Sequence, residues 1–152
     1  MPRPIYRVCR ATYARLDGEG AKLVGGRWNS PGRSVVYMAE TISLAVLENL
    51  VHMASEDFPT GYVVVEAVVP EDIRMLTEED LVTRFGGASQ QQLGDRWIDS
   101  RASAVLEVRS TIVPLEHNYL QNPQHPGFAG IAVRPVVPFV FDDRLMRPRN
   151  PR

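Results

Sequence analysis

The stretch from Ser34 to Val69 constrains the fold most, because it alternates between strand, helix and strand over a short distance. Residues 34–39 (Ser-Val-Val-Tyr-Met-Ala) are few and rich in β-formers, which predicts a strand. Thr41 suits the N-cap of a helix that runs to about Met53. Residues 61–69 carry the strongest strand pattern in the chain. These segments favour a domain of the α+β class.

The rest of the chain adds short elements and loops. Further strands are predicted over residues 5–9, 104–108 and 111–113. A short amphipathic helix is predicted over residues 90–100. Turn-forming residues predict irregular loops over residues 17–32 and 116–127, and single turns at most over the acidic residues 71–81.

The C-terminal part has two features of its own. Residues 131–141 are apolar but carry Pro135 and Pro138, which predicts a sheet edge or a bend. Residues 144–152 form an Arg/Pro-rich tail that we expect to be flexible. With neither a repeat nor a linker in the pattern, we expect a single domain over residues 1–143.

Composition excludes several protein classes. The chain has 152 residues, a formal net charge of −1, and 44% hydrophobic residues, which is typical of a globular protein and excludes a disordered chain. Cys9 is the single cysteine, so an internal disulfide is excluded. No stretch approaches the ~20 apolar residues of a membrane span, and the N-terminus lacks the apolar run of a signal peptide. We therefore expect a cytoplasmic protein without a membrane partner.

Charge is segregated along the chain, and arginine carries nearly all of its positive part. Lys22 is the single lysine beside 16 arginines. Residues 1–39 hold seven basic and two acidic side chains, whereas residues 40–80 hold one basic and ten acidic ones. Because the basic segment is followed by such an acidic one, direct binding of nucleic acid is not predicted. The planar donors of arginine suit phosphate and carboxylate groups.

Several common catalytic patterns are missing. No phosphate-binding P-loop is present, and Gly18-x-Gly20 is followed by Leu23 where a dinucleotide fingerprint needs its third glycine. One cysteine and three scattered histidines give no metal-ligand spacing, so no metal is predicted. Ser110 lies in Val-Arg-Ser-Thr-Ile rather than Gly-x-Ser-x-Gly, which excludes the nucleophile elbow of a hydrolase.

Two charged residues stand in unusual surroundings. Glu48 lies in an almost wholly apolar helix, where it either reaches the surface beside His52 or borders a cavity that uses its charge. Arg27 lies in Gly-Gly-Arg-Trp-Asn, residues 25–29. Glycines allow a ligand to approach the backbone, and a guanidinium can bind two phosphate oxygens at once. An exposed loop arginine stacked on Trp28 is the alternative.

Two further residues are ambiguous by position alone. Tyr37 is either an ordinary core or edge aromatic of its strand or a platform on which a ligand stacks. Arg7 alternates with Tyr6 and Val8, so that its side chain points either into a cleft or to solvent.

The order and spacing of these residues resemble the RES domain family. The resemblance rests on Tyr6-Arg7, Gly26-Arg27-Trp28-Asn29, and Val36-Tyr37-Met38-Ala39 followed by a helix with Glu48. It continues in residues 108–114 (Val-Arg-Ser-Thr-Ile-Val-Pro) and 118–126 (Asn-Tyr-Leu-Gln-Asn-Pro-Gln-His-Pro), the latter being its most specific part. The family is named after an Arg, a Glu and a Ser, which match Arg27, Glu48 and Ser110.

The resemblance implies a fold like that of ADP-ribosyltransferases, in which a small split β-sheet and flanking helices surround an NAD cleft. It also implies a toxin of a bacterial toxin–antitoxin pair that stops growth by depleting NAD. The expected partner is a helical antitoxin with an Xre-like DNA-binding region that blocks the active site, so any DNA contact would run through the antitoxin. NAD is the substrate, and no other cofactor is expected.

The family pattern also assigns roles to residues. The expected catalytic residues are Glu48, Arg27 and Ser110. The residues expected to bind NAD are Arg7, Arg27, Tyr37, Ser110 and Asn118. The nicotinamide–ribose bond would be cleaved, so that nicotinamide leaves and the ADP-ribosyl group is transferred to water or phosphate. Two alternatives remain open: an ADP-ribosyltransferase that modifies a protein, and a non-catalytic module that binds a nucleotide.

Overall fold

The computed structural model describes residues 1–53 and 59–146 as one α+β domain. The strands in this part of the chain are β1 (Arg3–Arg10), β2 (Val36–Ala39), β3 (Tyr62–Val69), β4 (Met75–Thr77), β5 (Val105–Arg109), β6 (His117–Gln121), β7 (Ala132–Val133) and β8 (Val137–Phe139). The α-helices are α1 (Glu19–Val24), α2 (Ile42–His52), α3 (Glu78–Phe85) and α4 (Gln90–Ser100).

The strands form a single mixed sheet that is nearly divided in two. Its order is β4-β5-β6-β2-β1-β3-β7, and β8 also pairs with β3. β1 pairs with β3 over eight residues, whereas β1 and β2 share the single pair Tyr6 and Ala39. This one pair joins the half that contains β1 and β3 to the half that contains β2, β5 and β6.

Helices pack on one face of the sheet in two separate groups. α2 packs on the first half, where Leu44 and Ala45 meet Val8 and Ala39 in one apolar cluster. α3 and α4 pack on the second half, where Leu81 and Trp97 belong to a cluster with residues of β5 and β6. The surface between the two helix groups is formed by the face of β2 and β6 that carries Tyr37 and Asn118.

Three of the elements predicted from the sequence are confirmed. α2 begins after Thr41, whose side chain accepts a hydrogen bond from the backbone N–H of Leu44 at 3.0 Å. β3 and α4 follow the predicted ranges within one residue. Residues 131–141 contain two short strands that both pair with β3 at its outer side, so the prediction of an edge is also confirmed.

One prediction fails at the centre of the sheet. Residues 116–127 were expected to be a loop, yet β6 lies between β5 and β2 and carries the buried residues Tyr119, Leu120 and Gln121. The Asn and Pro residues of this stretch are typical of turns in sequence. In the fold, pairing with strands on both sides satisfies the backbone and outweighs this local preference.

Two regular elements arise in segments predicted to be irregular. α1 forms inside the Gly-rich stretch because Gly18 and Gly25 adopt positive φ at its two ends, so that these glycines bound the helix without interrupting it. α3 begins with a capping box between Thr77 and Asp80, and three acidic residues in its first turn suit the helix dipole. Conversely, the strand predicted over residues 111–113 is a turn.

The C-terminal tail is described by the structure only up to Met146. Of the tail, Asp143–Met146 forms a 3-10 helix, and residues 147–152 lie outside the described residues. Among the helices that the structure describes, none has the length and apolar character needed to cross a membrane.

Candidate active site

The turn after β5 brings Ser110 to Glu48. Ser110 is buried, and its hydroxyl donates to Oε1 of Glu48 at 3.5 Å. The Oγ atom of Ser110 also accepts hydrogen bonds from the backbone N–H groups of Ile112 and Val113, each at 3.1 Å. These two bonds explain why residues 111–113 turn instead of continuing the strand. Glu48 is half-buried on α2 and faces Ser110.

Arg27 reaches the same turn from the other side. The backbone N–H of Gly26 donates to the carbonyl of Asn29 at 2.8 Å, which closes a tight turn with Arg27 and Trp28 at its tip. Trp28 is buried in the core while Arg27 is exposed, and the guanidinium donates to the hydroxyl of Thr111. Arg27, Glu48 and Ser110 are thus brought together around residues 110–111.

The side chain of Tyr37 stabilises the Arg27 turn through hydrogen bonds of its hydroxyl. Its hydroxyl accepts from the backbone N–H of Trp28 at 3.0 Å and donates to Oδ1 of Asn29 at 2.7 Å. Burial raises the pKa of Tyr37 to about 12, so the phenol remains protonated at neutral pH. A Cβ at Gly26 would stand 2.7 Å from the phenolic oxygen, which explains the need for glycine there. The hydroxyl of Tyr37 therefore fixes the turn, and the side chain packs against the apolar cluster that contains Trp28.

Asn118 lies on the same face of the sheet as Tyr37. It pairs with Ala39 on one side and with Val108 on the other, and its side-chain amide donates to the carbonyl of Met38 at 3.4 Å. Its position two residues from the Ser110 turn in the β5–β6 ladder places it with the group.

Arg7 is not brought to this group. The pairing of Tyr6 with Ala39 places Tyr6 on the face that carries Tyr37, and alternation along β1 places Arg7 on the opposite face. Its neighbours on that face, Ile5 and Cys9, belong to a separate apolar cluster. Position in the sequence could not reveal this, because the register of β1 against β2 decides it.

The most specific part of the family pattern, residues 118–126, has a mainly structural role. The side chain of Asn122 is fully buried and donates to the carbonyl of Ile98 at 3.1 Å, which joins this loop to α4. Nδ1 of His125 accepts from the backbone N–H of Gly127 at 2.8 Å and caps a 3-10 helix.

Two cavities lie apart from the group around Ser110. One, of about 140 Å³, is polar and is lined by Thr77, Glu78, Glu79, Glu107, Arg109 and His117. The other, of about 380 Å³, is apolar and lies between the outer side of α2 and the C-terminal segment. Within residues 1–53 and 59–146, no three His, Cys, Asp or Glu side chains are grouped so as to hold a metal ion.

Sequence reasoning missed three residues that the structure adds to the site. Thr111 accepts the hydrogen bond of Arg27, and Asn29 accepts that of Tyr37. Gln91 of α4 donates to both ends of the Arg27 turn. The signal for Gln91 was present in the sequence as its i, i+4 spacing to Asp95, which places both on one face of a helix.

Comparisons with known proteins agree with this description. A Prs ADP-ribosylating toxin of Sphingobium sp. (strain YBL2) is 38% identical over 140 residues, covering 87% of each chain. A protein named Toxin Res from Yersinia enterocolitica is 34% identical over 150 residues, covering 93% of this chain and 98% of the relative.

Structural comparison supports the fold. A chain in the crystal structure of the M.tuberculosis MbcT-MbcA toxin-antitoxin complex matches 92% of this chain and 85% of its own length, with a TM-score of 0.68 at 18% identity. The expected α+β architecture, in which helices flank a divided sheet, is confirmed. The model of the RES domain matches residues 4–142. The chain therefore belongs to the RES domain family.

Proposed function

We propose that this protein is the toxin of a toxin–antitoxin pair and that it cleaves the nicotinamide–ribose bond of NAD. The observation that carries the proposal is the meeting of three residues at one turn. Glu48 is hydrogen-bonded to Ser110, and Arg27 is hydrogen-bonded to the adjacent Thr111. The names of the relatives, which are toxins, support the same conclusion.

The chemistry needs little more than a well-placed carboxylate. Breaking the bond between nicotinamide and ribose generates an oxocarbenium-like ribose, as in glycoside hydrolysis. The leaving nicotinamide starts as a cation and departs neutral, so no general acid is required. Glu48 stabilises the positive charge on the ribose, and the apolar neighbours of α2 lower the local dielectric constant. Ser110 holds the carboxylate in one orientation.

The other side chains bind NAD. Arg27 is exposed and exchanges its contact with Thr111 for two hydrogen bonds to the pyrophosphate. The ring of Tyr37 stacks on nicotinamide, and the amide of Asn118 bonds to the carboxamide or the ribose. Arg7 has no role in this proposal because the register places it on the other face of the sheet.

The partner of the toxin follows from the family. The structural relative was crystallised in a toxin–antitoxin complex. We propose a helical antitoxin with an Xre-like region that covers the site around Ser110 in the cytoplasm, where NAD is available. DNA would be contacted by the antitoxin alone.

Release of free nicotinamide tests the reaction. Purified protein, separated from any antitoxin, should consume NAD and release nicotinamide. Glu48→Gln keeps the shape of the side chain but removes its charge, and should lower kcat by about 100-fold or more. Glu79→Gln is the matched control, because Glu79 is exposed on α3 and outside the site. Unchanged kcat in Glu48→Gln would refute the role of this carboxylate.

A second candidate function is transfer of ADP-ribose to a protein, which the name of the Sphingobium relative favours. Both reactions release nicotinamide and use the same site, so the fate of the ADP-ribose separates them. NAD labelled in its adenosine part should yield free labelled ADP-ribose, or its phosphorylated form in phosphate buffer, if a small molecule is the acceptor. Label fixed on one protein of a cell lysate would favour protein modification. A wild-type protein that binds NAD without releasing nicotinamide would favour a non-catalytic module.

A further inference from the structure

A stripe of polar side chains on α4 faces the segment that carries Arg27. Gln91, Asp95 and Asp99 are spaced four residues apart, so they lie along one side of the helix. Each of them bonds to a successive part of the chain between Gly26 and Arg33. None of the three touches the group around Ser110.

Gln91 holds both ends of the Arg27 turn. Its side-chain nitrogen donates to the carbonyl of Gly26 at 3.2 Å and to that of Asn29 at 3.1 Å. These are the two residues whose backbones close the turn. A single carboxamide therefore bridges the residue before Arg27 and the residue that ends the turn, and both donor hydrogens of the amide nitrogen are available for it.

Asp95 fixes the chain directly after the turn. Its two carboxylate oxygens accept from the backbone N–H of Ser30 at 2.8 Å and from the Ser30 hydroxyl at 2.7 Å. Arg33 then bonds to Asp99 through two nitrogens, at 2.9 and 2.8 Å, and this contact lowers the pKa of the Asp99 carboxyl. The segment is thus attached to α4 at three successive points.

Gly94 brings the helix and the turn into direct contact. A Cβ at position 94 would stand 1.8 Å from the carbonyl oxygen of Trp28. The backbone of the turn therefore lies against the helix itself, where side chains of neighbouring turns can reach it. This distance leaves room for glycine only.

We propose that Gln91 is a positioning residue for Arg27, which makes the guanidinium ready to bind the pyrophosphate of NAD. The inference rests on the proposed function, because it takes the pyrophosphate as the ligand of Arg27. Gln91 does not touch substrate; it restricts the backbone of an exposed turn, and this lowers the conformational entropy that Arg27 loses on binding.

The test compares three variants by steady-state kinetics. Gln91→Glu has the same size but offers acceptors to two carbonyl oxygens, and Gln91→Ala removes both bonds. Each should raise the KM for NAD about fivefold, the effect of one or two lost hydrogen bonds, while kcat stays near that of wild type. Gln90→Ala is the matched control, because Gln90 is exposed on the same helix and outside the stripe. Unchanged KM in Gln91→Glu, or an equal rise in Gln90→Ala, would overturn the proposal.

A second measurement does not depend on NAD turnover. Hydrogen exchange of the Gly26 amide, which closes the turn, should be faster in Gln91→Glu than in wild type, at an unchanged melting temperature. Unaltered exchange would show that Gln91 does not hold the turn. Wild-type protein that neither binds nor consumes NAD would instead refute the proposed function. Faster exchange of the Gly26 amide in Gln91→Glu would then still show that Gln91 holds the Arg27 turn.

Discussion

The hydroxyl of Ser110 donates to Glu48, while its oxygen accepts from two backbone N–H groups of the following turn. A serine hydroxyl has one proton to donate and two lone pairs to accept with. Ser110 uses the proton and both lone pairs in these three hydrogen bonds, so it orients the carboxylate and stabilises the turn at the same time. We therefore expect Ser110 to position Glu48 rather than to contact substrate.

Ser110→Ala should therefore affect both activity and stability. The loss of an orienting bond should lower kcat about tenfold, and two amides left without an acceptor should lower the free energy of unfolding by ~1–3 kcal/mol. Ser100→Ala removes a hydroxyl that bonds within α4 to Trp97 and serves as control. Steady-state kinetics and urea unfolding measure the two effects. Turnover equal to wild type would show that Glu48 needs no such support.

Replacement of Arg27 and replacement of Arg7 should have different effects on NAD binding. Arg27→Ala should raise the KM for NAD about tenfold or more, because hydrogen bonds to charged groups contribute ~1.5–3 kcal/mol. Arg7→Ala should leave KM near that of wild type, because Arg7 lies on the opposite sheet face. The pair forms its own control, since both variants remove one guanidinium. A similar rise of KM in Arg7→Ala would show that Arg7 also binds NAD.

Tyr37 should make stability depend on alkaline pH. Its pKa is raised from 10.0 to about 12 in the folded protein, so the folded state holds the phenolic proton more tightly than the unfolded state does. The stabilisation is complete below the ordinary pKa and is lost as pH rises through about 12, by ~1.4 kcal/mol per pKa unit.

Tyr37→Phe removes this dependence. The variant should be less stable at neutral pH, since the phenol bonds Trp28 and Asn29, but should lose less further stability between about pH 9 and pH 11 than wild type does. Tyr13→Phe is the control, because Tyr13 is 64% exposed. Urea unfolding at both pH values measures the difference, and equal losses in Tyr37→Phe and wild type would contradict the assignment.

Glycine 94 should be among the least replaceable residues of α4. Gly94→Ala forces a methyl group into the carbonyl of Trp28, and we expect a loss of ~3 kcal/mol in the free energy of unfolding. Gly20→Ala on α1 meets nothing within 4 Å and should instead stabilise the protein by ~0.5–1 kcal/mol, as alanine does in a helix. Thermal or urea unfolding compares the two. Equal stability of both variants would mean that α4 and the turn are less tightly packed.

Local sequence patterns predicted those elements whose signal lies within a few residues. α2 has its N-cap at Thr41 and an apolar body, and β3 alternates between buried and half-buried residues. β6 was not predicted because the Asn and Pro residues of this stretch favour turns locally, whereas pairing with two neighbouring strands decides the outcome. The same holds for β4, which exists because it pairs in parallel with β5 over three residues.

The candidate site was predictable in its members but not in its geometry. Family spacing identified Arg27, Glu48 and Ser110, although more than sixty residues separate Glu48 from Ser110 along the chain. Contacts that depend on packing, such as that of Arg27 with Thr111, leave no pattern in the sequence. The face of β1 that carries Arg7 depends on a single residue pair between two strands, which periodicity cannot supply.

Gln91, Asp95 and Asp99 must lie on the same side of α4 to bond to the segment that carries Arg27. The position of that segment therefore depends on the spacing of these residues along the helix as well as on their type. An insertion of one residue between Gln91 and Asp95 rotates one of them by ~100° relative to the other, so the helix could then bond either to the Arg27 turn or to Ser30. Substitutions on the outer side of α4 leave this relation intact. We therefore expect α4 to tolerate changes in composition but not in length at this place, because a shift of its register would displace the turn that carries Arg27.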